Sequence, residues 1–322
     1  MCQNNLFLTA ITCILLLVLP ACHVKKANPA ENNTLVIASD YLVEGDTSLF
    51  KGFSAQNKAR VIIRPITTDA LIGLMRNEGY NSGIDLVLSE SSHSAFRLWQ
   101  EKLLQPVYEK DAFNNADNDY ISYKYSYVSL GIDPFVIYYP SDTLITARTY
   151  QDLFKTPHSY SLTREDILSF LSPLRQYKNQ VDTYSWIERW DSTGVQQSQL
   201  TSHGDTLPAI LTRHSHVELL RDSLKGAGSD KLIFPNGLRR GSYYDVLPMA
   251  IVNQAENYIM AKKFIQYYTN PGHNSIINEK LHTFPLYDYL ESRSVDFKLN
   301  PAKKEALLQY HPMIERIVNK LD

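Results

Sequence analysis

The side chains that could do chemistry stand in a few short groups. Arg213, His214, Ser215 and His216 are consecutive. Two histidines two apart on a strand share one face, a spacing that suits a metal ion. Arg213 beside them suits an anionic ligand or an ion pair instead. Asp40-Tyr41 and Ser89-Glu90 each follow a short apolar run. There Asp40 is a turn residue and Glu90 a helix cap on one reading, and both are ligand contacts on the other. Thr163 and Asp166 have capping-box spacing at a helix start, where free N–H groups attract anions. Glu165 and Asp166 place opposing charge in that first turn. Tyr243-Tyr244 lies where strand alternation buries one ring. Trp186 and Trp190 stand one turn apart on a helix, a core spacing. No Gly-x-Ser-x-Gly, His-Glu-x-x-His or phosphate loop occurs, so no catalytic residues and no enzyme are expected.

Composition bounds the alternatives. The chain has 322 residues, 44% hydrophobic and 20% charged, which excludes collagen-like, disordered and multi-span membrane classes. With 34 acidic against 32 basic residues there is no basic surplus to neutralise phosphates, so nucleic acid is not an expected partner. Tyrosine is abundant, at 21 residues, which suits clefts and interfaces or reflects a composition bias. Residues 6–19 are almost wholly apolar and end in Leu19-Pro20-Ala21-Cys22. So short a run reads as a secretory segment rather than a span. A small residue followed by Cys resembles the lipobox of bacterial lipoproteins. The resemblance implies a leader over 1–21, acylation of Cys22, and an extracytoplasmic body lipid-anchored to the cell membrane. Residues 22–33 read as a linker. All three cysteines, Cys2, Cys13 and Cys22, lie in this opening segment, so a body without it has neither disulfide nor thiol nucleophile.

The elements that must position these residues alternate. Strands are expected at 35–38, 61–64 and 84–88, with helices at 47–56, 68–78 and 94–102. Thr68 or Asp69 opens the second helix as a cap. This βαβαβα order predicts an α/β sheet with ligands outside the carboxyl ends of its strands, at Asp40, Tyr41, Thr67, Ser89 and Glu90. Further strands are expected at 135–139, 207–211, 232–234 and 243–252. Helices are expected from 149, 161 and 184, then at 256–268 and 274–281, with one long closing helix over 301–321.

The order of elements resembles the type II periplasmic solute-binding fold, nearest to the ferric-ion-binding branch of ABC-importer binding proteins. The stretches that carry it are Leu35 to Tyr41, Asp69 to Gly79, Ile84-Asp85-Leu86-Val87-Leu88-Ser89-Glu90, Leu103-Leu104-Gln105-Pro106-Val107, and Ala261-Lys262-Lys263-Phe264 with Phe284-Pro285-Leu286. The resemblance implies two lobes, each a mixed sheet flanked by helices. Residues 34–129 plus 241–322 form the first and 130–240 the second. It implies a monomer that captures a small solute, ferric ion or another metal or anion, in the interlobe cleft. A permease and an ATPase are the implied partners, and no cofactor is implied beyond the transported ligand. Glu90 falls at the family's glutamate, Tyr41 near its histidine, and His214 with Ser215 at its tyrosine pair. Tyr41, Glu90 and His214 are therefore the expected metal donors, and Thr163 belongs to the implied anion loop. Two alternatives stand beside this reading: a metal-dependent hydrolase, and a sensor or accessory lipoprotein on the same fold.

Overall fold

A computed structural model describes residues 33–106, 120–140, 144–155, 158–177, 180–196, 209–224, 229–235, 241–286, 299 and 304–319. The expected leader, Cys22 and all but the last residue of the linker lie outside the described residues. In the first sheet, β1 (Thr34–Ser39) runs parallel to β2 (Arg60–Pro65), joined through a 3-10 turn at Glu44–Phe50 and α1 (Lys51–Asn57). Strand alternation sends Leu35 and Ile37 into one core and Val36 and Ala38 into another on the opposite face. α2 (Thr68–Glu78) covers the residues its periodicity predicts and buries Leu71, Ile72 and Met75. Its cap is Thr67, one residue ahead of the expected Thr68 or Asp69, with the hydroxyl accepting from the Ala70 N–H at 3.3 Å. β3 (Leu86–Leu88) pairs parallel with β1 and leads into α3 (Ser92–Gln100).

After β4 (Ile121–Ser122) comes β5 (Tyr127–Tyr139), whose thirteen residues are all buried. Then follow α4 (Tyr150–Leu153), β6 (His158–Ser161), α5 (Arg164–Tyr177), α6 (Gln180–Thr193), β7 (Gly194–Gln196) and β8 (Ile210–Arg213). A 3-10 turn at His214–His216 leads into α7 (Val217–Ser223), then β9 (Lys231–Ile233) and β10 (Tyr244–Ile251). α8 (Tyr258–Tyr268), α9 (Pro271–Lys280), α10 (Lys304–Leu308) and α11 (His311–Val318) close the chain. The strand order is β2-β1-β3-β10-β5-β8-β6-β7, with β4 and β9 also on β5.

β5 is the crossover strand. Residues 128–134 pair antiparallel with β10, whereas residues 135–138 pair antiparallel with β8. The expected lobe boundary at 129/130 therefore falls inside a strand, and the pairing changes at Pro134/Phe135. β10 carries a register shift between Val246 and Pro248, where a proline has no N–H to continue the ladder.

A further expectation is corrected. The closing helix is two helices, broken at Gln309-Tyr310. Pro312 stands at the start of α11, where a missing N–H is harmless, whereas inside a continuous helix its ring would meet the carbonyl four residues back. α11 also buries Ile314 and Ile317 in the second core with Leu168 and Phe170, although the sequence assigns it to the first lobe.

Candidate functional site

The carboxyl ends of β1, β2 and β3 and the start of α5 enclose a cavity of about 320 Å³. It is lined by Asp40, Thr67, Thr68, Asp69, Glu90, Ser91, Ser94, Thr163 and Glu165. Four of these are carboxylates, five are hydroxyls, and no lysine or arginine is among them. Each side chain is placed by local structure. Asp40 follows β1, and its Oδ1 accepts the Glu90 N–H at 2.9 Å while Oδ2 accepts the Thr68 hydroxyl at 3.2 Å. Ser91 caps α3, its Oγ accepting the His93 N–H at 3.1 Å. Thr163 caps α5 in the box expected from sequence: its N–H donates to Asp166 at 2.9 Å, and its hydroxyl accepts the Asp166 N–H at 3.2 Å. Arg97 stands at the rim, paired with Asp69 and 4.0 Å from Glu165.

Charge in the cavity is unevenly balanced. Burial, reinforced by the charge of Glu90, pushes the Asp40 carboxyl from 3.8 up to about 6 despite its hydrogen bonds. Glu90 goes the other way. Burial alone would raise it, but the His216 hydrogen bond and the Arg213 charge bring it below its ordinary value. His216 Nε2 lies 2.5 Å from Glu90 Oε1, and this contact raises the imidazole against the opposing effect of burial.

Behind the cavity lies a buried charge cluster centred on Arg213, which is 0% exposed. Its Nε donates to Asp166 Oδ1 at 2.5 Å, a second nitrogen reaches Asp245 at 3.3 Å, and Asp133 is 3.6 Å away. Lys304 reaches Asp245 at 3.4 Å. Ser91 and Ser169 donate to the same Asp245 oxygen, at 3.0 and 2.5 Å. Burial would raise Asp245, but Lys304 and Arg213 together hold it well below the usual carboxylate range. At Asp166 burial outweighs Arg213 and the pKa is raised.

The sequence-predicted residues thus separate into two groups. Asp40, Thr67, Glu90 and Thr163 meet in the cavity. Arg213 does not line it: its guanidinium is taken up by carboxylates, which corrects the expectation of a ligand contact. Ser89 is buried at the strand end, its N–H on the Pro248 carbonyl at 3.1 Å. Ser215 donates N–H and Oγ to Asp133 at 3.1 and 2.6 Å. The Tyr41 phenol oxygen is buried without a hydrogen-bond partner, and its pKa is raised by burial and the nearby Asp40. His214 turns away: Nδ1 meets the His282 carbonyl oxygen at 2.8 Å, and the ring packs 4.8 Å from Phe284. The donor trio Tyr41, Glu90 and His214 does not converge, because residues 214–216 form a 3-10 turn rather than a strand. With about three residues per turn, positions two apart point in different directions. His216, not His214, reaches Glu90. Among the described residues no group of three His, Cys, Asp or Glu side chains is placed to hold a metal ion.

Sequence reasoning did not bring Thr68, Asp69, Ser91, Ser94 or Glu165 to the site. The cap positions of α2, α3 and α5 were the available signal, since all five lie within the first turns of those helices or at their caps. Tyr243 is buried and stacks on Tyr150 at 4.5 Å, in agreement with a structural role for the tyrosine pair.

No family model matches the chain, and no curated protein matches its sequence. Solved structures do. The ferric binding protein from Campylobacter jejuni superposes with a TM-score of 0.76 at 18% identity, over 89% of this chain and 99% of that one. The fold is that of the two-lobed periplasmic binding proteins. Ferric iron-binding protein A of Mannheimia haemolytica, in an open conformation, gives 0.74 at 17% identity over 90% of this chain and 98% of its own. A protein described as mediating two-component signal transduction gives 0.68 at 18% identity over 88% and 99%. The acidic cavity opens between the first-sheet strand ends and α5 of the second half.

Proposed function

We propose that this chain is an extracytoplasmic solute-binding protein that captures a small cationic solute and delivers it to an ABC permease and ATPase. The observation that carries this is the cavity: four carboxylates and five hydroxyls at the strand ends, with no lysine or arginine lining it. Carboxylate and hydroxyl oxygens suit hard cations and ammonium groups. Ferric ion belongs to this class, and it is the ion named for the structural neighbours. Acylated Cys22 is the anchor in this reading, and binding with lobe closure, not bond making, is the activity.

The test is thermal melting with ferric nitrilotriacetate, terbium(III), spermidine, sulfate and glucose. A ligand that binds only the folded state at a hundred times its dissociation constant adds about 2.7 kcal/mol. Stabilisation by one or more of the cations, and by neither sulfate nor glucose, is expected. Stabilisation by sulfate alone would overturn a cationic cargo. A second reading, a sensor on the same fold, is favoured by the neighbour described as acting in signal transduction. It shares the cavity and differs only in the partner, so co-purification of a membrane kinase in place of a permease separates the two.

A further inference from the structure

The contact between Glu90 and His216 joins the two halves of the molecule. Glu90 closes β3 in the first sheet, and His216 follows β8 in the second. Both side chains are largely buried, 17% and 27% exposed, with Nε2 and Oε1 2.5 Å apart. Glu90 lines the cavity and His216 does not, so a single carboxylate serves both the imidazole and the cavity. The other carboxylates are less well compensated. Asp69 and Glu165 share Arg97, and among the described residues no cation pairs with Asp40.

We propose that His216 is a built-in counter-cation for Glu90 and thereby sets the charge a cargo must carry to be bound. This rests on the cationic-solute reading above. A cation entering the cavity has to take Glu90 from the imidazole or share it. A singly charged cargo replaces one ion pair by another and gains little. A cargo with two or more positive charges also reaches Asp40, Asp69 or Glu165, where negative charge is left over. The site therefore selects multiply charged cations, whether a metal ion or an organic polyamine, and His216 is the positioning residue that makes it do so.

Titration calorimetry on the full-length chain in detergent tests this. The probes are terbium(III) as a hard trivalent metal, spermidine as an organic trication, and butylammonium as a monocation. The proteins are wild type, His216→Gln, His216→Arg and Glu90→Gln. Wild type is expected to bind terbium(III) or spermidine at least about tenfold more tightly than butylammonium, and whichever of the two binds identifies the source of the charge. His216→Gln frees Glu90 and should tighten butylammonium by roughly tenfold, narrowing that gap. His216→Arg fixes the positive charge and should weaken every cation. Opposite signs for Gln and Arg are the signature, because a purely structural histidine would lose affinity with both. Glu90→Gln should weaken the polycation. Should His216→Gln fail to fold, His216→Asn takes its place. Cation binding that is unchanged or weakened in the Gln or Asn variant overturns the counter-cation and leaves the cationic-solute reading standing. Failure of all three cations to bind wild type overturns both.

Discussion

Asp40→Asn should make the empty protein more stable and a cation-loaded one less so. Asp40 is partly buried at the carboxyl end of β1, and burial raises its carboxyl from 3.8 to about 6. A folded-state value above the unfolded one means the native state binds the proton more tightly. The associated stability is present below about pH 4 and is lost as pH rises through 6. At roughly 1.4 kcal/mol per pKa unit, the ionised form costs about 3 kcal/mol at pH 7.5. Residual exposure and screening reduce this to about 2 kcal/mol. Asparagine removes that cost and keeps both hydrogen bonds: its oxygen accepts the Glu90 N–H, and its amide donates to the Thr68 hydroxyl. Urea unfolding of wild type and variant at pH 4 and 7.5 is the assay. The two should coincide at pH 4, and the variant should lead by about 2 kcal/mol at pH 7.5, or roughly 3 °C in Tm for a body of this size. Spermidine or terbium(III) should bind the variant about tenfold more weakly, from the loss of one carboxylate. A variant no more stable than wild type at pH 7.5, or an advantage that does not change with pH, would refute the reasoning.

Other substitutions probe the frame behind the cavity. Arg213→Leu leaves Asp166, Asp245 and Asp133 facing one another without their guanidinium and should cost about 3–5 kcal/mol by chemical denaturation; a loss under about 1 kcal/mol would show the cluster to be neutral. His93 and His311 meet Nδ1 to Nδ1 at 2.8 Å in a buried contact between α3 and α11. Burial lowers His93 to about 4 and also holds His311 well below its ordinary value. Stability from this pair is full above about pH 6.5 and falls as pH drops toward 4, by about 3 kcal/mol for His93 alone. The fall should be shallower in His311→Gln, and equal slopes would count against the pair. Gly131→Ala places a Cβ 1.8 Å from Asn278 Oδ1, so Asn278, whose amide donates to the Leu130 carbonyl at 2.9 Å, must move. A loss of about 1–3 kcal/mol is expected in a melt, and a silent substitution would mean that β5 and α9 yield freely.

The sequence by itself determined the elements and their class. Apolar runs at 35–38 and 61–64 and the 3.6-residue stripe of Leu71, Leu74 and Met75 are local signals, and β1, β2 and α2 form where they predict, although Ile72 is buried beside Leu71 and Met75 while Leu74 is half-buried. The strand-end rule likewise brought Asp40, Thr67 and Glu90 to the cavity, because a parallel strand followed by a helix fixes which end faces the ligand. Tertiary structure decided everything that depends on residues far apart in the chain. Whether Arg213 meets a ligand depends on Asp133, Asp166 and Asp245, which lie 32 to 80 positions away and converge only when β5, β8, β10 and α5 pack. Which histidine reaches Glu90 depends on three residues forming a 3-10 turn after β8, a difference of backbone twist that residue types do not encode. The placement of α11 on the second core follows from Pro312 and from the apolar surface of α5, not from chain order. Local periodicity is set by each residue's immediate neighbours, whereas partner choice among buried charges is set by which oxygens remain unsatisfied once the sheets have closed.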